Sequence, residues 1–117
     1  MTGGAAEAAE RGAAAWRAVV HEQLGAEPDH GDFYVLAGEL VDTLRSVESL
    51  VGVLSRQVAG YGEGRVLRDD SGVVPAERLG FAAAYLTQAR ELLSDAGWAT
   101  NQFWSEIGHV AVEDGPR

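Results

Sequence analysis

Acidic and histidine side chains cluster near the start of the chain, and these residue types can bind a divalent metal. The cluster contains His21, Glu22, Glu27, Asp29, His30 and Asp32. Their spacing matches neither an HExxH helix nor an EF-hand loop, and acid-rich turns commonly cap helices. We therefore expect no metal site and no cofactor, and interpret these acids as capping residues.

Nucleophilic catalysis needs a serine or threonine beside a base, or a thiol, and the sequence offers no recognisable setting for either. The chain contains no cysteine. Its serines on predicted helices lie outside any GxSxG turn. Glu39, Asp42 and Glu48 lie near Arg45 and have the pattern of a solvated helix face. We expect that the protein is not an enzyme.

The segment GYGEGRVLRDDSGVVP, residues 60–75, is the third place where side chains could do chemistry. It presents Tyr61, Arg65 and Arg68, and aromatic and arginine side chains on loops are favoured anchors for protein partners. The alternative is a solvated turn in which its charges pair locally. Two short runs, residues 65–68 and 73–74, are also the pattern of a small β-hairpin at this tip.

Two long helices must position this loop, because apolar residues recur at alternating steps of three and four on both sides of it. Asp32 is a candidate N-cap of the first helix, Gly60 a candidate left-handed C-terminal residue, and Pro75 suits the first turn of the second. The first stripe is Phe33, Ala37, Leu40, Leu44, Val47, Val51, Leu54 and Val58. The second is Leu79, Ala82, Leu86, Ala89, Leu93, Ala96, Thr100, Phe103, Ile107 and Val110.

An antiparallel hairpin follows if the loop folds the chain back, and it would bring Phe33 and Tyr34 near Phe103 and Trp104. An Ala-rich N-terminal helix precedes it, with Ala9, Ala13, Trp16, Val20 and Leu24 on one side. The expected fold is all-α, divided into an N-terminal helix with its connector (residues 1–31), the hairpin (32–110) and a flexible tail (111–117). Glycines within the helices, at positions 38, 52, 80 and 97, indicate close backbone contact.

More apolar residues flank the stripes than one hairpin can bury, so something else should cover them. They are Leu36, Val41, Leu50, Val53, Tyr85, Leu92 and Trp98. The N-terminal helix could cover them in a three-helix bundle, or a second copy could complete a dimeric four-helix bundle. Leu50 and Trp98 are therefore candidate partner-binding residues beside the loop side chains.

Charge and composition exclude several partners. The chain has 18 acidic and 9 basic residues, a net charge of -9, which disfavours binding to duplex nucleic acid and to anionic membranes. No basic n-region or sufficiently long apolar run indicates a signal peptide or a membrane span, so we expect a cytoplasmic protein. Every basic residue is arginine, which together with the Ala, Gly and Val content indicates a bacterial origin.

Two segments, QVAGYGEGRVLRDD and NQFWSEIGHV, resemble small helical proteins of actinobacterial mobile and conjugative elements. They cover about a fifth of the chain, and the resemblance implies an accessory role with no catalytic residues. In architecture the hairpin also resembles the secreted WXG100 proteins. Its loop has GYGEG in place of Trp-x-Gly, and neither Tyr61 nor Tyr85 is followed four residues later by an acid.

Three functions remain open. The sequence favours a helical module for protein interaction or assembly, whose partner is another protein or a second copy of the chain. One alternative is an accessory protein of a DNA-transfer or DNA-processing complex that acts through protein contacts. The other is a WXG100-like secreted hairpin.

Overall fold

A computed structural model of the chain describes residues 3–113, which form three helices. They are α1 (Gly4–Leu24), α2 (His30–Ala59) and α3 (Pro75–Ile107). No strand occurs in this part of the chain. The all-α prediction is confirmed, and the two long helices fall close to where the apolar periodicity placed them.

The start of α2 corrects the predicted N-cap by three residues. Asp29 is the N-cap and accepts a hydrogen bond from the Asp32 backbone N–H, while the Asp32 side chain accepts one from the Asp29 N–H. This reciprocal capping box satisfies two amide groups that a helix start leaves without partners. Both carboxylates are thereby used for helix initiation.

Helix ends also differ in detail from expectation. Gly60 follows α2 with φ -91°, so it is not the predicted left-handed residue; the positive φ values belong to Gly64 and Gly72 in the loop. Pro75 does begin α3. That helix ends at Ile107, and residues 111–113 of the predicted tail are non-helical. Residues 114–117 of the tail lie outside the described residues.

Helices α2 and α3 pack side by side in opposite directions. Gly38, near the start of α2, faces Trp104 near the end of α3, and Gly52 faces Arg90. Near the loop, the Ser55 hydroxyl donates to the Ala83 carbonyl oxygen at 3.2 Å. These contacts establish an antiparallel hairpin and fix how the two helices are aligned along their length.

The line of contact between α2 and α3, here called the seam, is rotated from the predicted stripes. In each helix, every second residue of the predicted stripe lies in the seam. In place of the others, the seam contains the residue that follows each of them in the sequence. In α2 the seam residues, all buried or half-buried, are Ala37, Val41, Leu44, Glu48, Val51, Ser55 and Val58. In α3 they are Leu79, Ala83, Leu86, Arg90, Leu93, Gly97, Thr100, Trp104 and Ile107, half-buried except Arg90.

Small residues explain this rotation. A Cβ on Gly38 would lie 3.1 Å from the Trp104 ring, and one on Gly52 would lie 3.3 Å from the Arg90 guanidinium carbon. A large side chain at position 38 would displace the Trp104 ring, and one at position 52 would displace the flexible Arg90 guanidinium. Close backbone contact was expected at the internal glycines. Gly38 and Gly52 instead contact side chains of α3, and a Cβ at Gly80 or Gly97 would meet open space.

The two kinds of helical glycine should respond differently to alanine. Gly80→Ala should raise the free energy of unfolding by about 1 kcal/mol, because alanine is the better helix former and its methyl group has room. Gly38→Ala should gain less, since its methyl group displaces the Trp104 ring. Urea unfolding followed by circular dichroism measures both. An equal gain in the two variants would contradict the packing of Trp104 on Gly38.

The aromatic cluster predicted at the far end of the hairpin is present in part. The ring centres of Tyr34 and Trp104 lie 5.7 Å apart with an interplanar angle of 55°, a tilted arrangement that aromatic pairs favour. Phe103, in contrast, is 45% exposed. It points away from the seam, as its position one residue before Trp104 requires.

Helix α1 does not join α2 and α3 as a third packed helix. No Cα atom of α1 lies within 8 Å of a Cα atom in α2 or α3. Near its end, Trp16, Val20 and Leu24 line an open apolar cleft of about 360 Å³ with Leu36 and Leu40 of α2. The expected apolar side of α1 thus faces α2 across a gap, and Ala9 and Ala13 are exposed.

The molecule is elongated, and its solvent-accessible surface is large for its mass. Its extents are 76 × 28 × 23 Å, and its radius of gyration is 20.2 Å, against about 13 Å for a compact domain of this length. Its accessible surface is 9191 Å², whereas a compact 12.4 kDa monomer exposes about 6,100 Å². Among the described residues, Ala37 and Val41 are the only apolar side chains that are buried.

Candidate protein-binding face

Two rows of apolar side chains lie beside the seam, one on each helix, and we call them together the apolar face. The α2 row is Leu36, Leu40, Val47, Leu50 and Leu54, interrupted by Thr43. The α3 row is Ala82, Tyr85, Ala89, Leu92, Ala96, Ala99 and Phe103. Each row follows alternating steps of three and four, so each forms a continuous stripe along its helix.

Both rows lie on the same side of the hairpin. Every member of a row precedes a seam residue by one position: Leu40 precedes Val41, and Leu92 precedes Leu93. One residue turns a helix by about 100°. Because α2 and α3 run in opposite directions, a step back by one residue turns both helices toward the same side. The rows therefore form a single surface rather than two separate edges.

The apolar face is exposed and carries no charge. Leu40, Val47 and Leu54, which the sequence predicted in the seam, are 37–38% exposed. Leu92 is 62% exposed and Tyr85 is 72% exposed. None of the side chains in either row is ionisable at neutral pH. An uncharged apolar strip along a whole hairpin is typical of surfaces that bind protein.

The opposite side of the hairpin, here called the polar face, differs in chemistry. A groove there is lined by Arg45, Glu48, Ser94, Trp98 and Asn101, with Val41 and Gly97 at its base. Trp98 is 68% exposed, but its neighbours are polar or charged. The two predicted partner-binding residues on the helices are therefore separated: Leu50 belongs to the apolar face and Trp98 to the polar face.

Tyr61, Arg65 and Arg68 are at the opposite end of the hairpin from α1, in the loop between α2 and α3. The Arg65 guanidinium carbon lies 4.3 Å from the centre of the Tyr61 ring, and Arg65 Nη1 donates to the Tyr61 carbonyl oxygen at 2.8 Å. Arg68 lies in a groove shared with Tyr61 and Asp69. The structure thus brings these three residues together, and Arg65 is engaged by its own loop.

Asp69 organises the same loop into turns. One of its carboxylate oxygens accepts hydrogen bonds from the Ser71 and Val73 backbone amides at 2.8 and 3.1 Å, and the Arg78 Nε donates to the other at 2.8 Å. The Arg78 guanidinium and the Ser71 donors hold the pKa of Asp69 well below its usual range. With the backbone tied to this side chain, the loop contains turns, and the predicted β-hairpin is not confirmed.

Asp69→Asn should loosen this loop without affecting the seam. Asparagine keeps the shape of the side chain but loses the charge that Arg78 contacts, so the Ser71 and Val73 amides should exchange with solvent faster. Hydrogen exchange measured by NMR at about pH 6 tests this, with Asp70→Asn as the matched control. Unchanged protection of both amides would contradict the role given to Asp69.

The pH dependence of the loop follows from the same contact. Because folding lowers the pKa of Asp69, its carboxylate stabilises the loop fully above its ordinary pKa, about 3.9. That contribution is lost as the pH falls toward the lowered value. The loop amides should therefore stay protected through neutral and mildly acidic pH and lose protection only in strong acid.

Metal-binding groups and membrane-spanning helices were predicted to be absent, and two observations on the described residues bear on these points. Within residues 3–113, no three histidine, cysteine, aspartate or glutamate side chains are grouped so that they could hold a metal ion. Asp29 and Asp32 of the acidic cluster bind each other's backbone instead. Across the same residues, no helix has the length and apolar character needed to cross a membrane.

Sequence reasoning found only part of the α3 row: it recognised Tyr85 and Leu92 as uncovered. It assigned Ala82, Ala89, Ala96 and Phe103 to the seam. The signal that distinguishes the two arrangements is the set of small residues one position later, Ala83 and Gly97, combined with Trp104 opposite Gly38. The apolar pattern alone favours the predicted stripes, because the observed seam includes the polar residues Glu48, Ser55 and Arg90.

Comparison with protein-family models, with curated proteins and with solved structures found no match to this chain.

Proposed function

We propose that this protein is a non-enzymatic helical interaction module, and that its apolar face is the surface by which it assembles with protein. The observation that carries the proposal is an uncharged strip of large apolar side chains along α2 and α3 whose central part no segment of residues 3–113 covers. Burying apolar area yields about 25 cal/mol per Å². A face of this length is therefore a strong source of binding free energy.

Helix geometry supports a helical partner. The rows on α2 and α3 run parallel to the hairpin axis, so the groove between them accepts an amphipathic helix laid along it. Two packed helices leave one side of their shared core open to solvent, whereas a bundle of four helices encloses its core. The loop side chains Tyr61, Arg65 and Arg68 then mark one end of the assembly rather than its centre.

A photo-crosslinking amino acid distinguishes the two sides of the hairpin in living cells. p-Benzoylphenylalanine at position 92 lies on the apolar face, and the same residue at position 98 lies on the polar face. Leu92 and Trp98 are similarly exposed, at 62% and 68%, so the two probes are matched in accessibility. We expect irradiation to give a discrete protein adduct from position 92 and little from position 98.

The adduct from position 92 is then identified by mass spectrometry, whether it contains this chain or another protein. No adduct from the apolar face, or equal adducts from both positions, would contradict the proposed function. Circular dichroism of each labelled variant verifies that the probe has left the helices intact.

A further inference from the structure

We infer that the occupant of the apolar face is a second copy of this chain, in a twofold-symmetric four-helix bundle in which α2 of each copy packs on α3 of the other. The inference rests on the proposed function and names its partner. It places the twofold axis parallel to the hairpin, so that the two loops lie at the same end of the dimer.

The first argument is area. The chain, with the unpacked α1 included, exposes about 3,000 Å² more than a compact monomer of its mass, and obligate homodimers bury about 1,000–2,500 Å² per subunit. A buried core of only Ala37 and Val41 among the described residues is also very small for a chain that folds alone. A partner needed for folding must be present whenever the chain is made, and a second copy meets that condition.

The second argument is the shape of the two rows. The α2 row is built of leucine and valine, whereas the α3 row alternates alanine with larger side chains. From the contacts of Gly38 with Trp104 and Gly52 with Arg90, Val47 lies level with Ala96 and Leu54 level with Ala89. A twofold axis along the hairpin brings the α2 row of one copy onto the α3 row of the other at unchanged level. Val47 and Leu54 then meet alanines, whereas Leu50 meets Leu92 and Leu40 meets Phe103, so close and wide contacts alternate along the interface.

The alternative twofold axis, perpendicular to the helices, lacks this fit. It would pack the α2 row of one copy on the α2 row of the other, and the α3 row on the α3 row. Leucines would then meet leucines, and Ala96 and Ala99 would lie in the alanine-rich stretch of a second α3. Such pairing leaves one half of the interface crowded and the other half with voids, which cost stability.

The third argument is the cleft between α1 and α2. It is apolar, has a volume of about 360 Å³ and is lined by Trp16, Leu36 and Leu40 among others. In the proposed dimer, Phe103 of the second copy lies at the level of Leu40 and points toward α2. A phenyl side chain that is 45% exposed in the single chain thus meets the apolar cleft that lacks an occupant.

Charge does not oppose this pairing despite a net charge of -9 on each copy. The contacting rows carry no side chain that is charged at neutral pH, and Arg45 and Glu48 line the groove on the polar face. Repulsion between the copies therefore acts over longer distances, where salt screens it. Raising the salt concentration should favour the dimer.

The oligomeric state tests the inference on the full chain. Light scattering coupled to size exclusion should give twice the 12.4 kDa chain mass for the unaltered protein at micromolar concentration. Leu50→Asp combined with Leu92→Asp should lose the dimer. Ser49→Asp combined with Ser94→Asp adds the same charges to the polar side and should keep it. A monomeric unaltered protein, or a dimer that survives the first pair of substitutions, would overturn the inference.

Spin labels test the orientation without altering the apolar face. The chain has no native cysteine, so Asp70→Cys gives one label at the loop end of each copy. With the loops at the same end, the two labels should lie within about 30 Å; with opposed hairpins they would be separated by roughly the 45 Å length of α2. The long distance would refute the proposed axis even if the protein is a dimer.

The proposed dimer and the proposed interaction function can be contradicted separately. If the purified chain is monomeric while position 92 still crosslinks to a different protein, the second copy is excluded as the occupant and the interaction module stands. If position 92 gives no adduct and the purified chain is monomeric, both proposals fail.

Discussion

Ala37→Asp is expected to unfold a large fraction of the protein. Ala37 is completely inaccessible to solvent at the seam, so a carboxylate there would lose its hydration. An uncompensated buried charge costs about 3–5 kcal/mol. Since whole domains are stable by only about 5–15 kcal/mol, this single change removes much of the available stability.

The matched control for Ala37→Asp is Val35→Asp, which adds the same charge two residues earlier at a position that is 62% exposed. It should change the free energy of unfolding by no more than about 0.5 kcal/mol. Urea unfolding followed by circular dichroism at 222 nm measures both variants. Similar stability of the two would show that α2 does not contact α3 through Ala37, and the hairpin described here would be incorrect.

The helices of this protein were predictable from its sequence, because their apolar periodicity extends over many turns and Pro75 marks the start of α3. Their limits were predictable only within a few residues. Asp29 and Asp32 are both good capping residues. Which of them is the N-cap of α2 depends on the backbone amides that each carboxylate reaches in the folded chain. Similarly, Gly60 is followed by two further glycines, and the chain takes its positive φ at Gly64 instead.

The register of the seam was not predictable from periodicity. In each helix the apolar face and the seam are adjacent stripes, and the seam contains more small and polar residues than the stripe predicted from periodicity. Ser55 illustrates this choice: its hydroxyl pairs with the Ala83 carbonyl oxygen and lies 3.2 Å from Thr87 Oγ1, so a polar side chain is satisfied inside the seam. Leu54, the preceding residue, fitted the apolar periodicity better than Ser55, yet its side chain lies on the surface.

Surplus apolar residues were the more informative signal for the candidate site. Leu50 and Leu92 were recognised in the sequence as uncovered, and both lie on the apolar face. Trp98 was grouped with them on hydropathy alone, yet it faces Arg45 and Asn101 on the other side of the hairpin. The side of a helix to which a flanking residue belongs depends on the seam register, so an error of one residue there misplaces every neighbour.

The melting temperature of the unaltered protein is expected to rise with its concentration. If folding requires a second copy, mass action favours the folded dimer by about 1.4 kcal/mol per dimer for each tenfold increase in concentration. Half of that acts on each chain. With an unfolding entropy of about 2.1 cal/mol/K per residue over 117 residues, the shift is about 3 °C per tenfold change.

Thermal unfolding followed by circular dichroism from about 1 to 1,000 µM would then span about 8 °C. Ser49→Asp with Ser94→Asp should retain this dependence, because both positions are away from the apolar face. Leu50→Asp with Leu92→Asp should melt at a lower temperature that no longer depends on concentration, since its hairpin has only the seam to stabilise it. A concentration-independent melt of the unaltered protein would mean that α2 and α3 are stable as a single chain, and that the exposed leucines are not needed for folding.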